Sequence, residues 1–351
     1  MNLILSFLIL GLVIFVHELG HFLIAKAVKA PVYKFAIGMG PIMVSKTIGE
    51  TEYSIRWIPL GGFVQLELEE EFELNGESAF RKLNVFKKGC VYIAGSLFNF
   101  ILAFIIFFGI FFYSGHPSTT IGNVYVGSPA QEKGLQPGDL IISIDDKEIK
   151  YWTDITSITS TSKDSTLSFK IKRDSEIKII EVKPELDKDT GNYIVGITPE
   201  YKKDFIKSFK SGIQSTIYNI KYTYEGLIDA ITGIFNNKSN GSVNGDTSSV
   251  DDGSAELSGP IGTIQLITEQ TKQGFVATIL LTISINLSLG VFNLLPIPGL
   301  DGGKIVLLIV EFLRCGKKMS IDTESKITII GILLLLGLTI YATWNDIIRL
   351  F

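Results

Sequence analysis

Residues 3–25 read LILSFLILGLVIFVHELGHFLIA, and how this stretch is placed decides the fold. Positions 3 to 16 are uncharged, and the apolar character resumes after HELGH through Ala25. About 23 residues therefore form a segment long enough to cross a bilayer. A secretory signal would open on a basic region and close on a small-residue cleavage site. MNLILSF shows neither, so residues 1–28 are expected to remain as the first transmembrane helix.

Three further stretches, 90–113, 275–300 and 327–345, contain no charged residue. They are read as transmembrane helices over 90–114, 275–312 and 327–348. The whole chain agrees: 46% of its 351 residues are hydrophobic and 19% charged, with a mean hydropathy of +0.34. That balance excludes global disorder and is too apolar for an ordinary soluble domain. A net charge of -4 offers no basic excess for phosphates, so nucleic acid is set aside as a partner. Cys90 and Cys315 lie in no metal-binding spacing and cannot form a disulfide framework.

Lysine and arginine set the expected orientation. Lys26, Lys29 and Lys34 follow the first span, Arg81, Lys82, Lys87 and Lys88 precede the second, and Arg314, Lys317, Lys318 and Lys326 lie between the last two. Residues 114–132 and 239–271 have no lysine or arginine. The positive-inside rule then puts the loop 29–89 on the cytoplasmic side and both termini and the large segment 114–274 outside. That segment holds short β-like runs between 120 and 198, including LIISID and IKIIEVKP, separated by turns such as GSPA and QPGD. Residues 205–235 carry apolar positions at helical spacing, an amphipathic helix suited to the outer membrane surface and its lipid. Residues 236–254 are rich in Gly, Ser and Asn and read as a flexible linker.

The chemistry is expected at His17-Glu18-Leu19-Gly20-His21. Positions i and i+4 share a helix face, so His17 and His21 can offer two imidazole nitrogens to one metal ion. In such a site the glutamate is not a ligand: Glu18 would take a proton from the water that the metal activates. Two histidines and a glutamate in one turn of a spanning helix are expensive, since each ionisable residue costs roughly 2.5 to 3.5 kcal/mol on insertion scales. A third ligand is needed, and Asp301 in NLLPIPGLDGG, residues 293–303, is the candidate. The prolines and glycines there break the helix, and nonhelical backbone at membrane depth is tolerated where it lines a cavity. The first and third spans run in the same direction, which brings Asp301 to the depth of the histidines. Capping of the following helix is the bland alternative for Asp301.

HELGH, NLLPIPGLDGG and the intervening GSPAQEKGLQPGDLIISID closely resemble the site-2 protease family, bacterial intramembrane zinc metalloproteases of peptidase family M50. Supporting segments are FAIGMGP, EYSIRWIPLGGFVQL, AGSLFNFILA and SGPIGT. Ser96 departs from the proline common in the AGSLFN segment. The resemblance implies a polytopic α-helical protein of the bacterial cytoplasmic membrane, with about four transmembrane helices, an inserted extracytoplasmic PDZ domain over 118–200 and a membrane-associated β-hairpin within 29–89. It also implies that His17, His21 and Asp301 bind zinc, that Glu18 is the general base, and that the substrates are single-pass membrane proteins, an anti-sigma factor or a signal-peptide remnant. The PDZ domain would take a peptide ligand or act as a size filter. Gly38 and Gly40 in the hairpin, and Asn293, are the expected substrate-binding positions, Asn293 through hydrogen bonds to substrate backbone or oxyanion. Tyr33, Tyr53 and Trp57 are expected interface anchors, and the acidic run 66–78 a solvated loop. A noncatalytic scaffold and a metal transporter are the competing classes; the intact glutamate with a third ligand disfavours the first, and the lack of a repeated half disfavours the second.

Overall fold

The computed structural model describes residues 2–67, 78–162, 165–187, 191–235 and 260–350. The linker read over 236–254 and positions 68–77 of the acidic run lie outside them. In chain order the elements are α1 (Asn2–Ala27), β1 (Lys34–Ile48), β2 (Thr51–Gln65), α2 (Val85–Ser114), β3 (His116–Val124), α3 (Pro129–Glu132), β4 (Leu140–Ile144), β5 (Lys147–Glu148) and α4 (Trp152–Thr161). They continue with β6 (Leu167–Arg173), β7 (Glu176–Val182), β8 (Glu185–Leu186), β9 (Tyr193–Ile194), β10 (Ile197–Lys202), α5 (Phe205–Phe235), α6 (Pro260–Lys272), α7 (Phe275–Asn293), α8 (Asp301–Leu313) and α9 (Ile321–Leu350). Among the described residues, four helices are long and apolar enough to cross a membrane: Leu5–Ala27, Val85–Ser114, Phe275–Asn293 and Ile321–Ile348. The chain divides into two compact units, residues 1–103 with 256–351, and residues 104–255.

In the first unit, helix boundaries follow local capping. Helix α2 begins at Val85, five residues before the uncharged run, because Asn84 Oδ1 accepts the Lys87 N–H at 2.8 Å and the Lys88 charge is met by Glu311 at 2.7 Å. Helix α9 begins at Ile321 rather than 327, since Ser320 Oγ accepts the Thr323 N–H at 3.2 Å and Asp322 and Glu324 occupy the first turn. The third apolar stretch, read as a span over 275–312 broken at its prolines and glycines, is two helices: Pro296 and Pro298 cannot supply the N–H groups a continuous helix needs. Helix α6, just before the third span, was not foreseen. Small residues let the helices close on one another, as at Gly20, where a Cβ would come within 2.5 Å of the Ala94 carbonyl oxygen. Long apolar side chains point outward, among them Leu8, Leu97 and Leu333 at 54%, 45% and 60% exposure, as expected where lipid replaces a core.

Strands β1 and β2 pair over their whole length in a doubled register. Ala36 lies opposite Phe63 and also Ser54, while Ser45 lies opposite Ser54. Each strand bends and pairs twice, leaving 62–65 and 44–48 as outer edges. Phe35 stacks on Phe22 of α1 at 4.6 Å between ring centroids, and Tyr53 meets Phe22 edge-on at 5.8 Å. Tyr53, expected as an interface anchor, thus packs against α1, while Trp57 is 67% exposed.

The second unit is built on a six-stranded sheet with path β10-β3-β4-β6-β7 and β5 paired to β4. Inward-facing Ile121, Ile141, Phe169, Ile171 and Val182 alternate with exposed neighbours and form its core with Ile155 of α4. The QPGD turn is fixed by Asp139, fully buried, which accepts from Arg173 Nε at 2.6 Å and Nη2 at 2.7 Å and from the Gln136 N–H at 2.9 Å. These bonds hold the Arg173 guanidinium further above its ordinary pKa. In α5 the buried face is small and polar, with Ser208, Ser211, Ser215 and Thr216. Ser208 Oγ donates to Phe111 O at 3.0 Å, and the ring of Phe209 meets those of Phe104 and Phe108 at 5.2 and 5.9 Å. The apolar stripe read from the sequence stays outward at Ile213 and Ile217.

Candidate metal centre

His17 and His21 lie one turn apart on α1 and point the same way, as i and i+4 require. His17 Nε2 is 3.2 Å from His21 Nε2 and 3.1 Å from Asp301 Oδ2. The third edge, His21 Nε2 to Asp301 Oδ2, is 3.0 Å. All three residues are buried. Asp301 reaches the pair because it is the first residue of α8, directly after the proline-broken turn 294–300. Gly302 and Gly303 let that first turn nest on the broken segment: a Cβ at either would come within 2.4 Å of the carbonyl oxygens of Leu295 or Ile297.

The tautomer of His21 is fixed by its partner. Nδ1 is 2.7 Å from Val91 O, and a carbonyl only accepts, so Nδ1 carries a proton, and in the neutral ring Nε2 turns a lone pair toward His17 and Asp301. A lone pair beside a second imidazole nitrogen and a carboxylate oxygen repels both unless a cation lies among them. Tetrahedral donors held 2.0–2.2 Å from an ion stand roughly 3.3–3.6 Å apart, slightly wider than the three edges here. Two imidazoles and one carboxylate are also a donor set that zinc accepts. The residues fit a metal ion. Glu18 is not part of the triangle; its stem lies against β2, where a Cβ at Gly62 would meet Glu18 Cγ at 3.6 Å.

Residues 5–338 match peptidase family M50. The chain belongs to that family. It is a metalloprotease of the site-2 type, and zinc is the metal of this family. Among its relatives, a Fusobacterium nucleatum protein named as a zinc metalloprotease is 34% identical over 358 residues, covering 100% of both chains. One from Clostridium acetobutylicum, named likewise, is 32% identical over 349 residues, covering 99% of this chain and 97% of that protein. The protease eep of Enterococcus faecalis is 29% identical over 440 residues, covering 100% of both. Among solved structures, the PDZ domain of an SdrC-like protein from Listeria monocytogenes is 26% identical, with a TM-score of 0.22, covering 24% of this chain and 88% of that one.

Of the remaining positions expected at this M50 peptidase site, none reaches the donor triangle. Asn293 Nδ2 donates to Leu289 O of its own helix at 3.1 Å. Gly38 and Gly40 have φ of 84° and 82° and serve the hairpin itself. A Cβ at Gly38 would press on Ile58 O at 2.5 Å, and Gly40 O accepts from Arg56 Nη1 at 2.7 Å.

Sequence reasoning missed Gly95. A Cβ there would lie 2.4 Å from His21 Nε2 and 2.6 Å from both His17 Cε1 and Nε2, so only glycine leaves room beside the two imidazole nitrogens. The signal was present in AGSLFN, quoted for its resemblance, yet nothing in the sequence says that α2 crosses α1 at the histidines.

Proposed function

We propose that this M50 peptidase hydrolyses peptide bonds within the transmembrane segments of single-pass membrane proteins, with His17, His21 and Asp301 as the zinc ligands and Glu18 as the general base. The observation that carries the reading is the meeting of three donors, from α1 and from the broken end of the third span, at 3.0 to 3.2 Å one residue from Glu18. Bound zinc would supply a Lewis acid for the scissile carbonyl and bring the pKa of water to about 7. His17 and His21 present neutral nitrogens, the second oriented by Val91 O. The Glu18 carboxylate takes the proton of the attacking water and passes it to the departing amide nitrogen, restoring its own charge.

Helical peptide bonds are shielded, so the substrate must be extended where it is cut. The edge 62–65 of β2 runs beside Glu18 and suits addition of one substrate strand. Exposed Met39, Ile42, Met43, Val44 and Trp57 on the hairpin support its contact with membrane. The basic flanks support a multi-pass arrangement in the bacterial cytoplasmic membrane, with the metal centre toward the cytoplasm and the sheet domain outside. There that domain, read as a PDZ module, takes a peptide end or filters substrates by size. Anti-sigma factors and signal-peptide remnants are the substrate classes this placement suits, and the apolar stripe of α5 suits outer-leaflet lipid.

The experiment compares wild type with Glu18→Gln on single-span reporter proteins, each enzyme with its metal quantified. Wild type is expected to cut within the span, and Glu18→Gln to keep its zinc while losing about 10²- to 10⁴-fold in rate. A variant that cuts like wild type would sink the assignment of Glu18.

A further inference from the structure

The two carboxylate oxygens of Asp301 are used differently. Oδ2 faces both histidines, whereas Oδ1 is approached at 3.4 Å by Lys304 Nζ, one turn further along α8. The same ammonium lies over the ring of Tyr92, 5.4 Å from its centroid. Tyr92 follows Val91, whose carbonyl orients His21. Two turns beyond Lys304, Glu311 accepts two hydrogen bonds from Lys88, at 2.7 and 2.9 Å. Helices α2 and α8 are therefore joined by two rungs, Tyr92 with Lys304 and Lys88 with Glu311, on the wall of one cavity of about 660 Å³.

The rungs differ in burial. The Lys88 and Glu311 side chains are 4% and 13% exposed, whereas that of Lys304 is 48% exposed beside an Asp301 at 9%. A half-exposed pair three residues apart adds little to folding. What it can do is geometric: a carboxylate is free to turn about its Cβ–Cγ bond and to offer a cation one oxygen or both. A positive charge seated on Oδ1, itself steadied by an aromatic face, resists that turn.

We propose that Lys304 is a positioning residue of the metal centre: it holds Asp301 Oδ1 so that Oδ2 alone faces the ion, and it takes its own place from the ring of Tyr92. The proposal rests on the reading of His17, His21 and Asp301 as the zinc site. The Lys88–Glu311 rung, by contrast, sets how α8 stands on α2 and leaves the carboxylate's rotation alone.

The test uses the full chain in detergent micelles, with zinc affinity from chelator competition, the visible spectrum of the cobalt-substituted protein, and thermal unfolding of the metal-free form. Lys304→Met is expected to weaken zinc binding by about 10- to 100-fold, as loss of an outer partner does at other sites, to alter the cobalt spectrum, and to leave the metal-free melting temperature in place. Lys304→Arg restores most of the affinity. Glu311→Gln is expected to do the reverse, lowering the melting temperature with zinc affinity kept. Lys304→Gln, polar and shorter, stands in if the methionine variant does not fold. Zinc binding by the uncharged variants as tight as that of wild type overturns the positioning role. Wild type that binds no zinc overturns the reading of the site itself, so the two failures are told apart.

Discussion

Two buried aspartates sit in glycine turns of this chain, Asp139 in QPGD and Asp301 in LDGG, and their surroundings are opposite. Asp139 receives a two-pronged guanidinium and a backbone N–H, three donors to one carboxylate. Asp301 meets two imidazole nitrogens at 3.1 and 3.0 Å, and Lys304 stands off at 3.4 Å. A buried carboxylate needs compensating positive charge. The first has it from the protein and is a piece of architecture. The second receives less of it from these contacts, and the proposed zinc site rests on that difference.

The strongest way to break this comparison is to neutralise each aspartate in turn. Asp301→Asn should emerge from purification without zinc and without cleavage of any reporter, while Asp139→Asn should keep about one zinc per chain, the stoichiometry of a three-ligand site. Retention of zinc by Asp301→Asn would remove the distinction. Next in size is Gly95→Ala, whose new methyl must push on both histidines; zinc affinity is expected to fall at least as far as with loss of an outer partner, about 10- to 100-fold. Unchanged affinity in a chelator titration would mean that α2 gives way. Arg173→Met should act only on the other unit, strips Asp139 of its guanidinium and should destabilise the strand domain by about 3 kcal/mol in denaturant unfolding, with zinc content intact. Smallest is Lys326→Ala, in an exposed i,i+4 pair with Asp322, where the change in stability should stay below about 0.5 kcal/mol; a larger effect would show that surface pairing matters more here than burial.

Much of the site was legible because its signals are local. HELGH puts His17 and His21 on one helical face by periodicity alone, with Glu18 beside them in the same turn, and the double proline before Asp301 announces a helix break whatever surrounds it. The alternation of strands in the second unit was visible for the same reason. Less was legible where a residue's task depends on what crosses it. Asn293 reads as a donor to substrate, and its bond to Leu289 O of its own helix is not legible in the sequence. Tyr53 reads as an interfacial anchor, and the sequence does not record that its ring also meets those of Phe22 and Phe35. Helix α6 has 13 residues and no run of spanning length, and the small polar face that α5 turns inward carries no signal in the apolar pattern read for it.

By itself the sequence determined which segments can span a bilayer, because length and the absence of charge decide that in any fold, and it determined the residue types of the candidate centre. The tertiary structure alone decided that Asp301 closes on the two histidines, that Gly95 is the floor beneath them, and that Lys304 and Tyr92 stand behind the carboxylate. Those relations join residues of α1, α2 and α8. No periodicity in one helix records which face of another it will meet, since helix crossings are set by side-chain packing and close approach of small residues across the bundle.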